Sequence, residues 1–222
     1  EVAVMKEVAK KLPQYEFQFV PTSDDDLLIG VESGKYDIGT KGAWKTPARE
    51  KKYIFPKNNI AASVIGVTIR KEDANTIKNL DDFAKAGKKL VPIAPQNAQY
   101  QVIEDYNAAH PDHPVKLEAS ENFQVADAYT WVLEGRYDGY FSIELAYKKN
   151  VEAPDAPYKD FKDKLSYFRY KAIPTYTVIN KNDKELAEQV DKALGELKQE
   201  GKIAELENKY FGEEVSKLID VK

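Results

Sequence analysis

The stretch Val31-Glu32-Ser33-Gly34-Lys35-Tyr36-Asp37 has a counterpart later in the chain, Leu133-Glu134-Gly135-Arg136-Tyr137-Asp138. Each predicts the end of a helix, a glycine cap, a basic residue and then Tyr-Asp at the start of a strand. A glycine and a basic residue after a helix are also common on their own, which gives the match a second explanation. The shared helix-to-strand context favours one supersecondary unit used once in each of two α/β lobes.

Strand and helix patterns alternate on both sides of these stretches. Residues 15–20 alternate apolar and polar side chains, as in a strand, and Ser23 or Asp24 can cap the helix that Gly34 ends. Alternation of strands with helices favours a parallel sheet in an α/β architecture. Further strands are predicted at 36–39, 89–94, 116–119, 139–141 and 176–180, and further helices at 4–12, 97–109 and 186–210.

The order of these segments predicts two discontinuous lobes. The last helices are expected to complete the first lobe, so that the chain crosses between lobes twice. The crossings are expected near 66–70 and 180–183, where extended apolar residues give way to charged turns. Lobe 1 would then comprise residues 1–67 and 183–222, and lobe 2 residues 68–182.

The composition excludes several classes of protein. The chain has 222 residues, of which 42% are hydrophobic and 32% are charged, as in a globular protein. The 33 Lys and Arg against 37 Asp and Glu give a net charge of −4, which argues against a nucleic-acid-binding protein. Without cysteine there is no disulfide, thiolate metal site or thiol nucleophile. The most apolar stretch, 60–69, is too short to span a bilayer.

Signatures of common enzymes and metal sites are missing from the sequence. It contains no Gly-x-Ser-x-Gly, Walker A or Gly-x-Gly-x-x-Gly stretch. His110 and His113, with Asp112 between them, could bind a metal, but the prolines on either side and the lack of an obvious fourth ligand favour a solvated turn. Asp24-Asp25-Asp26 is more typical of a helix N-terminus than of a calcium loop. We therefore expect no metal, no cofactor and no catalytic residue.

The expected ligand site lies at strand ends, because ligands bind at the carboxyl ends of the strands in open α/β sheets. Three loops follow such ends: 40–46, with Arg49 just beyond, 95–100 and 142–144. The planar guanidinium of Arg49 can hold a carboxylate through two hydrogen bonds; the alternative is a solvated arginine in a charged run. Two of these loops open helices, whose free N–H groups favour an anion.

Trp44 and Glu144 are further candidates in these loops. Trp44 could stack on a ligand or pack in the core or between lobes. Glu144 could receive an ammonium group, or it could be an exposed acid in the first turn of a helix. The residue types in these loops thus suit a small zwitterion but also have ordinary structural explanations.

Several segments of the chain match one protein family. The chain resembles the solute-binding proteins of polar amino-acid ABC transporters, which have the type II periplasmic-binding-protein fold, and it looks closest to their cystine and sulfur-amino-acid branch. The resemblance implies two lobes that close on a ligand in the cleft between them, about a two-stranded hinge. The matching segments are 27–37, 46–55, 77–83, 133–138, 179–186 and 201–212.

The resemblance also implies roles for individual residues. Arg49 would hold the α-carboxylate of an amino acid, with Thr46 supporting its loop. Residues of the second lobe would offer helix-start N–H groups to the same carboxylate. The implied ligand-binding residues are Lys41, Gly42, Trp44, Thr46 and Arg49 in the first lobe, and Gln96, Asn97, Ala98, Gln99, Ser142 and Glu144 in the second.

Three departures from the family pattern affect how the ligand would be held. Asn97-Ala98 replaces a small Gly-Thr or Gly-Ser pair, which removes a hydroxyl contact. The Asp that commonly holds the ammonium group falls on Ile143, with Glu144 beside it. Asp24 stands where the family often has an aromatic residue, and it could reach a second ammonium group, as in a dibasic or disulfide-linked amino acid.

The resemblance further implies that the family's first strand, export signal and lipid-bearing cysteine are missing before Glu1. Loss of that strand would open a sheet edge in the first lobe, which another copy could fill. We expect an extracytoplasmic protein, in the periplasm or on the cell surface as a lipoprotein whose anchor has been removed. Its partners would be a small amino acid and the permease subunits of an ABC importer, without nucleic acid, and it would meet the membrane only through the missing anchor.

Two other classes of function remain open at this point. An enzyme of the same fold, similar to cyclohexadienyl or arogenate dehydratases, would need a general acid, for which Glu144 is the candidate. A ligand-sensing module would use the same cleft to feed a receptor. An uncharged ligand that is not an amino acid is a further alternative.

Overall fold

The structure, a computed structural model, describes residues 1–95, 97–120 and 125–219, with the backbone alone at 125 and 126. The chain divides into two compact units. Unit 1 consists of Glu1–Ser63 and Ala172–Lys222, and unit 2 is Val64–Lys171. The division falls within two long strands, whereas the sequence placed the crossings at strand ends, near 66–70 and 180–183. The charged turns at those strand ends therefore do not coincide with the boundaries between the units.

The described helices and strands are interspersed along the chain. In chain order the helices are α1 (Val2–Lys11), α2 (Asp24–Ser33), α3 (Pro47–Glu50), α4 (Leu80–Lys85), α5 (Ala98–Ala109), α6 (Val125–Leu133), α7 (Glu144–Tyr147), α8 (Lys184–Gln199) and α9 (Lys202–Phe211). The strands are β1 (Ile38–Ala43), β2 (Tyr53–Ile54), β3 (Ala61–Arg70), β4 (Gly139–Ile143) and β5 (Leu165–Asn180). Short 3-10 turns lie at Lys71–Asn75, Lys159–Lys164 and Val215–Leu218, and a π-helical turn lies at Lys148–Glu152.

The core of unit 1 joins the first helix to the last two. The apolar stripe of α1, Val4, Met5 and Val8, is buried against apolar residues of α8 and α9. These residues recur at helical spacing, so one face of each helix can leave water together. The C-terminal helices therefore complete the first unit, as the sequence predicted. The buried residues of α8 and α9 are Ala187, Val190, Ala193, Leu194, Leu197, Ile203 and Leu206.

Strand pairing differs from the parallel sheet that the sequence predicted. β1 runs antiparallel to β5, with Ile38 opposite Ile179 and Gly39 opposite Val178, and β2 is also antiparallel to β5. β4 is antiparallel to β3 in unit 2. Parallel contacts occur as isolated bridges between the predicted strand segments 89–94 and 116–119, and from Leu90 to Gly139. The prediction was wrong for the named strands because the order of elements does not reveal which strand returns beside which.

The strand predicted at 15–20 is absent. Residues 16–20 have no regular secondary structure. Within the described residues, none of the N–H groups of 16–22 donates to a backbone carbonyl. Alternating side chains favour a strand only where a neighbouring strand supplies hydrogen bonds, and none lies there. The segment instead borders a groove of about 670 Å³ in unit 1, lined also by residues 35–38 and 182–186.

The repeated sequence stretch has the same local structure in both units. Gly34 follows α2 with φ +82°, and Gly135 follows α6 with φ +76°. Both angles are left-handed, a region that glycine enters without the steric cost of a Cβ. A strand begins shortly after each, β1 at Ile38 and β4 at Gly139. The two stretches are therefore one helix-to-strand unit used twice.

Among the described residues, every helix is too short or too polar to cross a bilayer.

Candidate functional site

The loop after β1 carries the first-unit candidates on a small, well-capped helix. Thr46 precedes α3, and its hydroxyl accepts a hydrogen bond from the Arg49 N–H at 3.3 Å. Pro47 occupies the first helical position, where a missing N–H costs nothing. These two residues fix the turn that presents Arg49.

Arg49 is a half-buried cation. Its Nη1 donates to the main-chain carbonyl of Trp44 at 2.9 Å, which orients the guanidinium. Within the described ranges it forms no ion pair with a carboxylate, and desolvation by burial holds its pKa below the usual value. A guanidinium that is partly desolvated and lacks a counter-ion gains most from an added carboxylate. This geometry suits the capture of a ligand carboxylate.

Lys41 and Asp24 form an ion pair, with Nζ and Oδ2 at 3.0 Å. The Lys41 side chain is 18% exposed whereas that of Asp24 is 75% exposed, so the acid reaches water past its partner. A second ligand ammonium at Asp24 would therefore share the carboxylate with Lys41. Gly42 lies next to Lys41 with φ +65°, and a side chain there would collide with the Glu1 carboxylate.

A β-bulge in β1 determines where Lys41 and Gly42 lie. Gly39 lies opposite Val178 and Ala43 opposite Tyr176, so β1 has more residues than β5 over the same length. A bulge re-aims side chains and bends the strand. Lys41 and Gly42 lie in this irregular stretch, and Trp44 follows it, half-buried.

The start of α5 in unit 2 offers fewer free N–H groups than expected. The Asn97 side chain accepts from the Gln99 N–H at 3.0 Å, and the Asn97 N–H donates to the Ala94 carbonyl at 2.9 Å. Among the described residues, the Ala98 N–H makes no hydrogen bond. Gln96, also expected here, lies outside the described residues. Only one N–H of 97–99 is thus available to an anion.

Glu144 is already paired. Its two carboxylate oxygens accept from Arg169 Nε at 2.8 Å and Arg169 Nη2 at 2.9 Å, and Lys148 Nζ lies 3.2 Å away. The sequence predicted either an ammonium acceptor or an exposed first-turn acid. The side chain is only 15% exposed, so the second alternative is wrong. An ammonium group could bind only as a further donor beside Arg169 and Lys148.

Ser142 is buried at the end of β4 in unit 2. It is 2% exposed, its hydroxyl makes no hydrogen bond of good geometry within the described residues, and its carbonyl accepts from the Tyr167 hydroxyl at 2.9 Å. The hydroxyl of Tyr129, which is fully buried, likewise makes no hydrogen bond of good geometry there, although it lies close enough to the Ser142 hydroxyl to interact with it. Burial raises the pKa values of Tyr129 and Tyr167, so both stay protonated donors near neutral pH.

Sequence reasoning missed the residues that surround Ser142 and Glu144. Arg169 and Tyr167 lie in β5, and Tyr129 lies in α6. No local pattern marks them, because their roles depend on which strands and helices meet in three dimensions. The alternation of polar and apolar residues before Lys171 is the one signal that could have assigned a strand there.

The turn that holds His110 and His113 is exposed at Pro111, Asp112 and Pro114, as predicted, but the two histidines are themselves half-buried. The His113 side chain is 16% exposed and lies between Asp81 and Asp112, with contacts of 2.6 and 2.8 Å. Asp81 comes from α4, far away in sequence. That long-range contact adds an acidic group, Asp81, that the local sequence does not reveal.

The profile of the bacterial extracellular solute-binding proteins, family 3, matches residues 1–213. The chain belongs to this family. Its curated relatives in the family include two L-cystine-binding proteins of Bacillus subtilis (strain 168). TcyJ is 28% identical over 98% of this chain and 77% of its own length, and TcyA is 28% identical over 98% and 74%.

Solved structures of similar proteins share the fold of this family 3 chain. The probable amino-acid ABC transporter extracellular-binding protein ytmK from Bacillus subtilis has a TM-score of 0.75, at 24% identity over 95% of this chain and 86% of that one. A structure described with glutathione import via GshT and the cystine ABC importer TcyBC of Streptococcus mutans has a TM-score of 0.71, at 23% identity over 96% and 85%. The fold is therefore the type II periplasmic-binding-protein fold.

Proposed function

We propose that the chain captures a small amino acid outside the cytoplasm and delivers it to an ABC importer. Cystine or a related polar or sulfur amino acid is the favoured ligand. The names of the Bacillus subtilis relatives support this choice, since they are L-cystine-binding proteins and match nearly the whole chain. Membership of an extracellular family supports a location in the periplasm or on the cell surface.

Arg49 is the observation that carries the proposal. A half-buried guanidinium with one main-chain anchor and no acidic partner among the described residues has hydrogen-bond donors to spare. An α-carboxylate matches the planar arrangement of those donors. Trp44 and Thr46 support it from the same loop, and Lys41 and Gly42 form the adjoining wall.

Unit 2, taken by itself, also has polar groups that we propose as ligand-binding groups. The Ala98 N–H can donate to a carboxylate, and the buried Ser142 hydroxyl is available to a polar ligand atom. Asn97, Gln99 and Gln96 are further proposed ligand-binding residues. Glu144 would accept an ammonium group only together with its present donors.

The chain is proposed to act by binding and not by catalysis. The enzymatic alternative needs a general acid, and its candidate, Glu144, has both oxygens occupied as acceptors from Arg169. Relatives named as binding proteins support the same view. Permease subunits of an ABC importer are the proposed protein partners, and a membrane-anchored sensor remains the alternative use of the same ligand.

Isothermal titration calorimetry with L-cystine and a panel of other amino acids tests the proposal. Wild type is expected to bind at least one of them, and Arg49→Ala is expected to weaken that binding at least about 100-fold, as loss of a charge-assisted bidentate contact would. Lys51→Ala is the matched control, because Lys51 is an exposed cation close by in sequence. Equal affinities of wild type and Arg49→Ala would contradict the proposed site, and turnover of a prephenate-like substrate would contradict the proposed class.

A further inference from the structure

We propose that Asp81, His110 and His113 form a binding site for a zinc-class divalent metal ion in unit 2. One ligand atom from each of the three side chains lies within 4.8 Å of the other two. Imidazole nitrogens and a carboxylate oxygen are the ligands that Zn²⁺ and its neighbours in the first transition series prefer. None of these residues belongs to the proposed amino-acid site.

The fold brings the three ligands together from separate elements. Asp81 lies in the first turn of α4. His110 is the C-cap of α5, and His113 follows it in the turn that Pro111 and Pro114 restrict. The sequence shows only the histidine pair, since Asp81 is distant along the chain.

The hydrogen bonds of His110 leave one ring nitrogen free to bind a metal. Its Nδ1 lies 2.9 Å from the main-chain carbonyl of Tyr106. A carbonyl only accepts, so Nδ1 carries the proton and Nε2 holds the lone pair. The ring also stacks on Tyr106, with centroids 4.2 Å apart, which fixes its orientation.

His113 is held in the same way. Its Nδ1 lies 2.8 Å from a carboxylate oxygen of Asp112, while its Nε2 faces Asp81 at 2.6 Å. A carboxylate or carbonyl that accepts from the second nitrogen is the usual support of a metal-bound histidine. Each histidine thus has its Nδ1 occupied by an acceptor outside the cluster. Its Nε2 is the nitrogen that would bind the metal, and the Nε2 of His113 already faces Asp81.

The spacing requires only a small adjustment to admit an ion. Zn–N and Zn–O bonds of about 2.0–2.2 Å place two ligands of a tetrahedral site roughly 3.3 Å apart. The Asp81 to His113 contact of 2.6 Å would open slightly, and the ion would replace the proton that the two share. The longest separation would close from at most 4.8 Å.

Three protein ligands leave a fourth position for water. The second oxygen of Asp81 is engaged by Lys85 at 2.6 Å, and Asp112 is occupied by His113. The Asp81 side chain is 40% exposed, so an ion can enter from solvent. Such an open, partly exposed site suits reversible binding better than a permanent structural role.

Titration of tag-free, chelator-treated protein with Zn²⁺ tests the site by calorimetry, and Co²⁺ reports ligand geometry through its visible absorption. Wild type is expected to bind one ion per chain. His110→Gln and His113→Gln should each weaken binding at least tenfold, and Asp112→Asn should weaken it less, since it removes only the support of His113. Asp105→Asn is the matched control, because Asp105 is an exposed acid on α5 outside the cluster.

The outcomes of these titrations distinguish a metal site from a hydrogen-bond network that serves only the structure. If the double variant His110→Gln/His113→Gln binds Zn²⁺ as tightly as wild type, the proposal is overturned. It is also overturned if wild type, folded by circular dichroism, binds no Zn²⁺. Arg49→Ala should retain full Zn²⁺ affinity, so failure of the proposed amino-acid site would leave this result unchanged.

Discussion

The guanidinium of Arg169 holds both carboxylate oxygens of Glu144, at 2.8 and 2.9 Å. The two residues join the start of α7 to β5 within unit 2. A bidentate pair of this kind fixes geometry, although the 41% exposure of Arg169 limits its contribution to stability.

We expect Glu144→Gln to lower the free energy of unfolding by about 1 kcal/mol or less, because the lost pair is partly exposed. If Glu144 also accepts the ligand ammonium, affinity should fall at least about tenfold. Urea unfolding and calorimetry measure the two effects separately. Glu152→Gln, a neighbouring exposed acid, is the control; loss of affinity there as well would remove the specific role of Glu144.

Asn97→Ala is expected to lower the free energy of unfolding by about 0.5–2 kcal/mol, because its side chain caps α5 through the Gln99 N–H. Asn97→Ser keeps a capping oxygen and should recover most of the loss. Urea unfolding of the three proteins gives the comparison. Equal stability of wild type and Asn97→Ala would mean that the cap contributes nothing.

Gly34→Ala and Gly135→Ala should destabilise by similar amounts, roughly 1 kcal/mol each, because both glycines have left-handed φ values. Asparagine tolerates this region better, so Gly34→Asn and Gly135→Asn should cost less. Thermal melting of the four variants ranks their stabilities. A marked difference between the two alanine variants would contradict the equivalence of the repeated helix-to-strand unit.

Glu207 should make stability depend on pH. It is 3% exposed and accepts from the Ser216 hydroxyl at 2.6 Å, and burial, with Glu214 nearby, raises its pKa above the usual 4.5 despite Ser216 and Lys198. An acid with a raised folded-state pKa binds its proton more tightly in the native chain, so the stability this provides is present below pH 4.5 and is lost as pH rises through the folded value.

Glu207→Gln should remove this dependence. The difference in free energy of unfolding between wild type and variant should therefore shift in favour of the variant as pH rises from about 4 to about 7. Urea unfolding at several pH values measures it, with the exposed Glu205→Gln as control. A difference that stays constant across that range would show that Glu207 does not titrate differently on folding.

Local signals predicted the fold where the determining contacts are themselves local. Ser23 caps α2, Gly34 ends it and Asn97 caps α5, as expected, because each acts within a few residues. The prediction of a strand at 15–20 was wrong because a strand needs a neighbouring strand, which no local pattern reveals. The pairing of strands across the chain was missed for the same reason.

In the candidate site, too, contacts within one turn could be predicted, whereas contacts between distant segments could not. Arg49 and Thr46 share one turn, so their arrangement could be expected from the sequence. The engagement of Glu144 by Arg169 could not, because it joins the start of α7 to β5, and these two elements meet only in the folded unit. Asp81 and His113 are a second case, and there the unforeseen contact created a new candidate for metal binding.

The division of the chain has a consequence for how it is made. Unit 2 is one continuous segment, Val64–Lys171, whereas unit 1 needs both ends of the chain. In the order of synthesis, α1 and its apolar stripe precede unit 2 and can meet α8 and α9 only after translation has passed the whole of that unit. Unit 2 can therefore form its own contacts before unit 1 is complete, whereas the apolar stripe of α1 stays exposed to water until α8 and α9 are available.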